Sequence, residues 1–249
     1  MHVRPRRVAL ATLAASSLLL LSACDGGSDS AGKKDDKGAQ AAASTPSTPD
    51  TITAEQAQQA LVALGDLPAG WELEANTGMD KSQGADDDMV TGVKPLCAPV
   101  TAVLNSGRLE ADYKANAQEV FTKTGDQTTV AQDVSAYPRA QAEKAMAGLR
   151  AAVEQCGTFT GKQGGKKATV TVKKTAEQPK YGDESLRYTV KIVQGDMQMD
   201  FDMGTIRSHG AITTVLNNYS DRGDRGLGAF TKALSKAGEK LVAAAAKTA

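Results

Sequence analysis

Residues 197–203 read MQMDFDM and set Met197, Met199 and Met203 around Asp200 and Asp202. Thioethers at such spacing suit copper(I), a soft cation that prefers sulfur. The same letters also fit one β-strand, in which alternate side chains share a face. Met197, Met199, Phe201 and Met203 then form an apolar row, and Leu186, Tyr188, Val190 and Ile192 of SLRYTVKIV form another. Two such rows on an antiparallel pair account for one another as core. Phe201 interrupts the sulfur atoms, and His209 is the only histidine besides His2. Methionine fills irregular gaps readily, so core packing is the expectation and no metal is assigned to Met197, Met199 and Met203. The aspartates offer a second chemistry, since Asp200 and Asp202 together with Asp86, Asp87 and Asp88 could supply oxygen to calcium. The Gly and Glu that continue an EF-hand loop are missing from that spacing. A solvated strand face and a solvated loop are expected instead.

Catalytic signatures are scarce. The chain has no Gly-x-Ser-x-Gly, no phosphate-binding Walker loop and no His-Glu-x-x-His. A histidine-based triad would have to use His209, which sits in RSHGA and reads as a bend between two strands. The stretch GKQGGKK, residues 161–167, is glycine-rich and basic but precedes a strand. Phosphate cradles open helices, so this stretch reads as a flexible approach to a hairpin. No enzyme activity and no cofactor are expected. With 29 basic and 29 acidic side chains, the chain also lacks the basic excess of a nucleic-acid binder.

The N-terminus speaks to place. Arg4, Arg6 and Arg7 precede the apolar run VALATLAASSLLLL, which ends in Leu21-Ser22-Ala23-Cys24. A membrane-spanning helix needs about 20 apolar residues, so this shorter run reads as an export signal over residues 1–23. Its last four residues resemble the lipobox of bacterial lipoproteins. That resemblance implies cleavage before Cys24 and a diacylglycerol on its sulfur; a plain secretory signal with a chance cysteine is the alternative. Two acyl chains hold a protein on a membrane where one is marginal. Loss of the three arginines tips the mature chain to the acidic side, so the lipid must do the anchoring. Residues 24–52 follow as a Gly-, Ser-, Ala- and Pro-rich stretch of mixed charge, expected to be a disordered tether.

One folded domain is expected over 53–249. In an oxidising compartment Cys97 and Cys156 are expected to form a disulfide, two buried free thiols being the alternative. Thr53 and Gln56 make a capping box for a helix that runs to Gly65. PLCAPVTAVLNSG reads as a short helix with Cys97 at its start. Pro138 opens the longest helix, with a stripe of Ala142, Ala145, Met146, Leu149, Val153 and Cys156. Strands are expected in WELEA, NAQEVFTK, TTVAQDVSAY, ATVTVKKT, SLRYTVKIV, MQMDFDMGTIR and AITTVLNNYS, with QGD closing a hairpin. An amphipathic helix, LGAFTKALSKAGEKLVAAAAK, ends the chain. The fold class is α+β, a central antiparallel β-sheet flanked by helices, with helices on one face and one disulfide.

That order of landmarks, with LPAGW, PLC and the helix ending in Cys156, resembles the PknH-like extracellular sensor domain family, including lipoproteins that carry the domain alone. The resemblance spans roughly 55–245. It implies an antiparallel sheet with flanking helices and a large cleft for a ligand. The family's second disulfide, in its late strands, has no counterpart here, where Met203 and Ile212 stand. No kinase is expected beside the domain, so signalling by phosphorylation is not carried over from the resemblance. The expected function is a lipid-anchored protein on the outer face of the cytoplasmic membrane. Its non-catalytic, sensor-like domain would bind a small molecule, a lipid or a protein. The ligand-binding residues are not assigned; Trp71 and Tyr188 are possible cleft residues, with core the expectation for Trp71. A carrier of lipid or glycolipid, or a hydrolase of envelope polymers, are the alternatives. The first would need an apolar tunnel, the second two carboxylates converging in the cleft.

Overall fold

Eight segments of the chain become strands, most of them with alternating polar and apolar residues. In a computed structural model, which describes residues 51–74, 89–110, 112–219 and 225–248, they are β1 (Trp71–Leu73), β2 (Ala115–Lys123), β3 (Thr129–Ala136), β4 (Thr158–Gln163), β5 (Lys166–Lys174), β6 (Glu184–Gln194), β7 (Met197–Ser208) and β8 (Ala211–Tyr219). All join one sheet in the order β1-β2-β3-β8-β7-β6-β5-β4, and every neighbouring pair is antiparallel. The described helices are α1 (Ala54–Gln59), α2 (Ala98–Ser106), α3 (Arg139–Gln155) and α4 (Leu227–Ala245). The described residues lie within one compact unit, Pro46–Ala249. The signal segment, Cys24, the tether up to residue 50 and Asp86–Asp88 lie outside the described residues. No described helix is long and apolar enough to cross a membrane.

Helices cover both faces of the sheet, where one covered face was expected. Two buried clusters, one on each side, account for this. The first gathers α2, α3 and the row Leu186, Tyr188, Val190 and Ile192. The second gathers α1, α4, Trp71, Phe121, Val130 and Val215. The stripe on α3 is buried throughout, and Cys156 just beyond it is disulfide-bonded to Cys97, with Cα atoms 5.8 Å apart. A bridge enclosing a loop of this size is worth about 4 kcal/mol in the chain-entropy account.

The opening row of the sequence behaves as core along most of its length. Tyr188 stands opposite Met203, Val190 opposite Phe201 and Ile192 opposite Met199. Phe201 and Met203 are buried, Met199 packs against the same cluster, and Met197 emerges at the exposed hairpin end.

Three local expectations are corrected. The first helix stops at Gln59 instead of Gly65, although its capping box forms as expected. Buried Gln132 of β3 accepts from the Val62 amide at 2.6 Å and donates to the Ala60 carbonyl at 3.1 Å. Those two backbone groups are thereby satisfied by the sheet instead of by another helical turn. The stretch GKQGGKK is not a flexible approach but a hairpin, with β4 on one side and β5 on the other. Gly164 and Gly165 have φ of 53° and 76°, the signs a two-residue I′ turn demands. Finally, Asp202 is 4% exposed and Asp200 is half-buried, so the second face of β7 is not simply solvated. β7 lies inside the sheet, and Arg225, just ahead of α4, stands close to this part of that face.

Candidate functional site

Antiparallel registry places directly opposed residues on the same face, and two such rows run across four strands. One is Thr171 of β5, Lys191 of β6, Asp200 of β7 and Tyr219 of β8. Its neighbour, one step of the pleat away, is Lys173, Thr189, Asp202 and Asn217. The next row on this face brings Arg187 opposite Gly204 and Gly204 opposite Val215. There α4 takes over. The Leu234 side chain fills the space that a Cβ on Gly204 would need. Absence of a side chain at this one position lets the helix lie close on the sheet. The face is thus apolar under α4 and polar beyond it.

The uncovered polar part forms a concave site of about 440 Å³, lined by residues of both rows and by Arg225, which precedes α4. Lys191 pairs with Asp200 at 3.8 Å, and Gln198 donates to the same carboxylate at 2.6 Å. Arg225 donates to the Tyr219 hydroxyl and lies over its ring, 4.6 Å from the centroid. Asn217, fully buried, donates to the Arg225 carbonyl at 2.8 Å and to Asp202 at 3.5 Å. That contact holds the turn into α4 against the sheet. Burial raises the pKa of Asp202, and the charges of Arg225 and Arg187 limit the rise. Burial likewise raises that of Tyr219, against the hydrogen bond from Arg225.

A smaller concavity of about 170 Å³ opens beside the first turns of α4, between Gln178, Tyr181, Arg187 and Leu234. Arg187 sits over the Phe230 ring, 5.2 Å from its centroid, and its Nε is buried without a hydrogen-bond partner. Arg187 thus stands between the two concavities.

Neither Trp71 nor Tyr188 lines the larger site. Trp71 packs in the cluster under α4, and Tyr188 is fully buried on the opposite face. His209 occupies the β7–β8 turn with φ of 54°, a left-handed conformation rare outside glycine. Its amide donates to Asp183 at 2.7 Å, and its ring nitrogen Nδ1 is 3.4 Å from the Ser208 hydroxyl. That arrangement shapes a turn, and among the described residues no carboxylate is aligned on the ring. Among the described residues no three His, Cys, Asp or Glu side chains converge as metal ligands would. Met199 offers its sulfur to Gln163, which donates at 3.9 Å.

Sequence reasoning missed Lys173, Thr189, Lys191, Tyr219 and Arg225. Each polar residue of TVTVKK, RYTVKIV and MQMDFDM was visible as one half of an alternation. What no alternation reveals is which strands stand side by side, and the cleft exists only through that adjacency.

No protein-family model matches the chain, and no curated protein matches it. Among solved structures the chain is similar in fold to the extracellular domain of PknH from Mycobacterium tuberculosis, with a TM-score of 0.51 and 14% identity. The likeness covers 76% of this chain and 97% of that one. At this identity the similarity concerns the fold.

Proposed function

We propose that the chain is a lipid-anchored protein of the cell envelope whose folded domain binds a polar ligand and does not transform it. The observation that carries this reading is the concave site of about 440 Å³, built from two cross-strand polar rows where α4 leaves the sheet uncovered. Concavity with a few convergent polar groups is the usual form of a small-molecule site. Likeness of fold to an extracellular domain agrees with a role outside the cytoplasm. In this reading residues 1–23 are the export signal and 24–52 the tether, with Cys24 carrying a diacylglycerol. Residues 53–249 form the binding domain.

The alternatives find less support. A carrier of acyl chains needs a continuous apolar lining, whereas among the described lining residues Val190 is the sole aliphatic one. A hydrolase needs two carboxyl groups within reach of one bond. Asp200 lines the site, while Asp202 lies beneath its floor, 4% exposed.

Native mass spectrometry of the exported protein, purified without detergent or added metal, tests the binding role. Extra mass that disappears on denaturation is expected; a mass equal to the bare chain would count against a tightly held ligand. Anchoring is tested separately. Cys24→Ala should move the protein from the membrane fraction to the soluble fraction, and retention in the membrane would refute lipidation at that residue.

A further inference from the structure

We propose that the ligand of the larger site is a polyhydroxylated anion, a saccharide bearing a phosphate or carboxylate, whose acidic group is met by Lys173, Lys191 and Arg225. This rests on the binding role proposed above and assigns its chemistry. The starting point is an imbalance of charge. The three cations are exposed on the rim, while among the described residues the lining holds one carboxylate, that of Asp200. The chain as a whole has as many acidic as basic side chains, so the local excess comes from placement.

The partners of the cations sharpen this. Lys191 is matched by Asp200 at 3.8 Å. Arg225 donates to Tyr219, a neutral phenol, and the carboxylates of Asp202 and Asp200 act on it only through charge, with no ion pair among the described residues. Lys173 stands opposite Thr189, also neutral, and among the described residues no carboxylate pairs with it. Exposed ammonium and guanidinium groups beside a concave surface attract anions, and charge-assisted hydrogen bonds to phosphate or carboxylate are the stronger kind.

The floor asks for hydroxyl groups. Thr171 and Thr189 present hydroxyls that donate or accept, and Asp200 accepts only. A bare anion could accept from the threonine hydroxyls, but it would bring no donor to Asp200 and would meet that carboxylate as a like charge. A saccharide brings hydroxyl donors to Asp200 while its acidic group meets the cations. Volume agrees: about 440 Å³ lies in the lower part of the range of small-molecule sites, about 300–1,000 Å³. Nucleic acid is a poor match, because the described lining has only Tyr219 as an aromatic and Arg225 already covers its ring.

Amide chemical shifts of the ¹⁵N-labelled protein, recorded on titration with glucose 6-phosphate, glucuronate, glucose and inorganic phosphate, test the proposal. Glucose 6-phosphate or glucuronate should shift amides of Thr171, Thr189 and Asp200. At least one should bind about tenfold more tightly than glucose, the equivalent of about 1.4 kcal/mol. Whichever acid binds identifies phosphate or carboxylate as the preferred group. Lys173→Gln should weaken that acid at least threefold and leave glucose unchanged, with an unaltered melting temperature showing that the fold is intact. Thr189→Val should weaken the sugar acid more than inorganic phosphate. Glucose binding as tightly as both acids would overturn the anionic part and leave the binding role standing. Inorganic phosphate binding as tightly as the sugar phosphate would overturn the saccharide part. Silence from all four probes would overturn the inference itself. In that case a ligand retained in the native mass would show the binding role correct and this chemical class wrong, whereas a bare mass would count against a tightly held ligand as well.

Discussion

Asp133 is 1% exposed, yet it carries a carboxyl group into the layer between the sheet and α2. Asn116 and Gln118 each donate to its Oδ2 at 2.7 Å, and the Ser135 hydroxyl donates to its Oδ1 at 2.5 Å. Burial pushes its pKa up to about 6, while these three donors and the charge of Arg108 limit the rise. In an unfolded chain an aspartate titrates near about 3.9. The folded state therefore binds this proton more tightly than the unfolded state, so stability contributed here is full below the unfolded value and falls as pH rises from there toward about 6. A shift of two pH units corresponds to about 3 kcal/mol. Asp133→Asn keeps the shape: its oxygen can accept from Asn116 and Gln118, and its amide can donate to Ser135. The melting temperature of the variant relative to the native protein should climb between pH 4 and pH 6 and then level off. An offset that does not change with pH would show that Asp133 does not titrate in this window. Nothing in TVAQDVSA flagged this. Its alternation was legible, but the coverage of both faces of β3 was not.

Helix α3 was legible almost residue for residue, because a proline start and a long apolar stripe are local signals. The pairing of its end to the start of α2 followed from the parity of cysteines in a chain expected to be exported. Replacing Cys97 and Cys156 together by Ala should destabilise the protein by about 4 kcal/mol, lowering the melting temperature by roughly 8–16 °C at this size. Thermal melts of the double variant, compared with the native protein with and without reductant, measure it. A native protein whose melting temperature ignores the reductant, and matches the variant, would mean that the bridge contributes nothing. Elements whose limits depend on distant partners were less legible. Gln132 lies 70 residues from Val62 and ends α1 through it. β4 was hidden because its turn glycines looked like loop composition, although Gly-Gly between two strands is itself a hairpin signal.

At the level of the chain's path, the decisive event is β8 returning to pair with β3. The first three strands form a meander, α3 carries the chain to the far edge, and β4 to β8 fill the sheet back toward β3. This closure could not be read from the sequence, since no local pattern specifies which strand receives the last one. It creates the site indirectly, because α4 starts where β8 ends and covers only the adjoining part of the face. Side chains stitch the seam. Gln132 donates to the Thr213 hydroxyl at 3.0 Å, and that hydroxyl donates to the Asp133 carbonyl at 2.8 Å. A sheet joined in this way should open from its edges, because central strands bury both faces and bond on both sides. Hydrogen exchange followed by mass spectrometry should find the slowest amides in β3, β8 and β7, with β1 and β4 exchanging first. If β1, β2 and β3 instead exchange together and well before β5 to β8, the seam is the weak line and the two halves open separately. The site itself would survive that outcome as a platform, because Thr171, Thr189, Asp200 and Tyr219 all stand on the β5–β8 side of it.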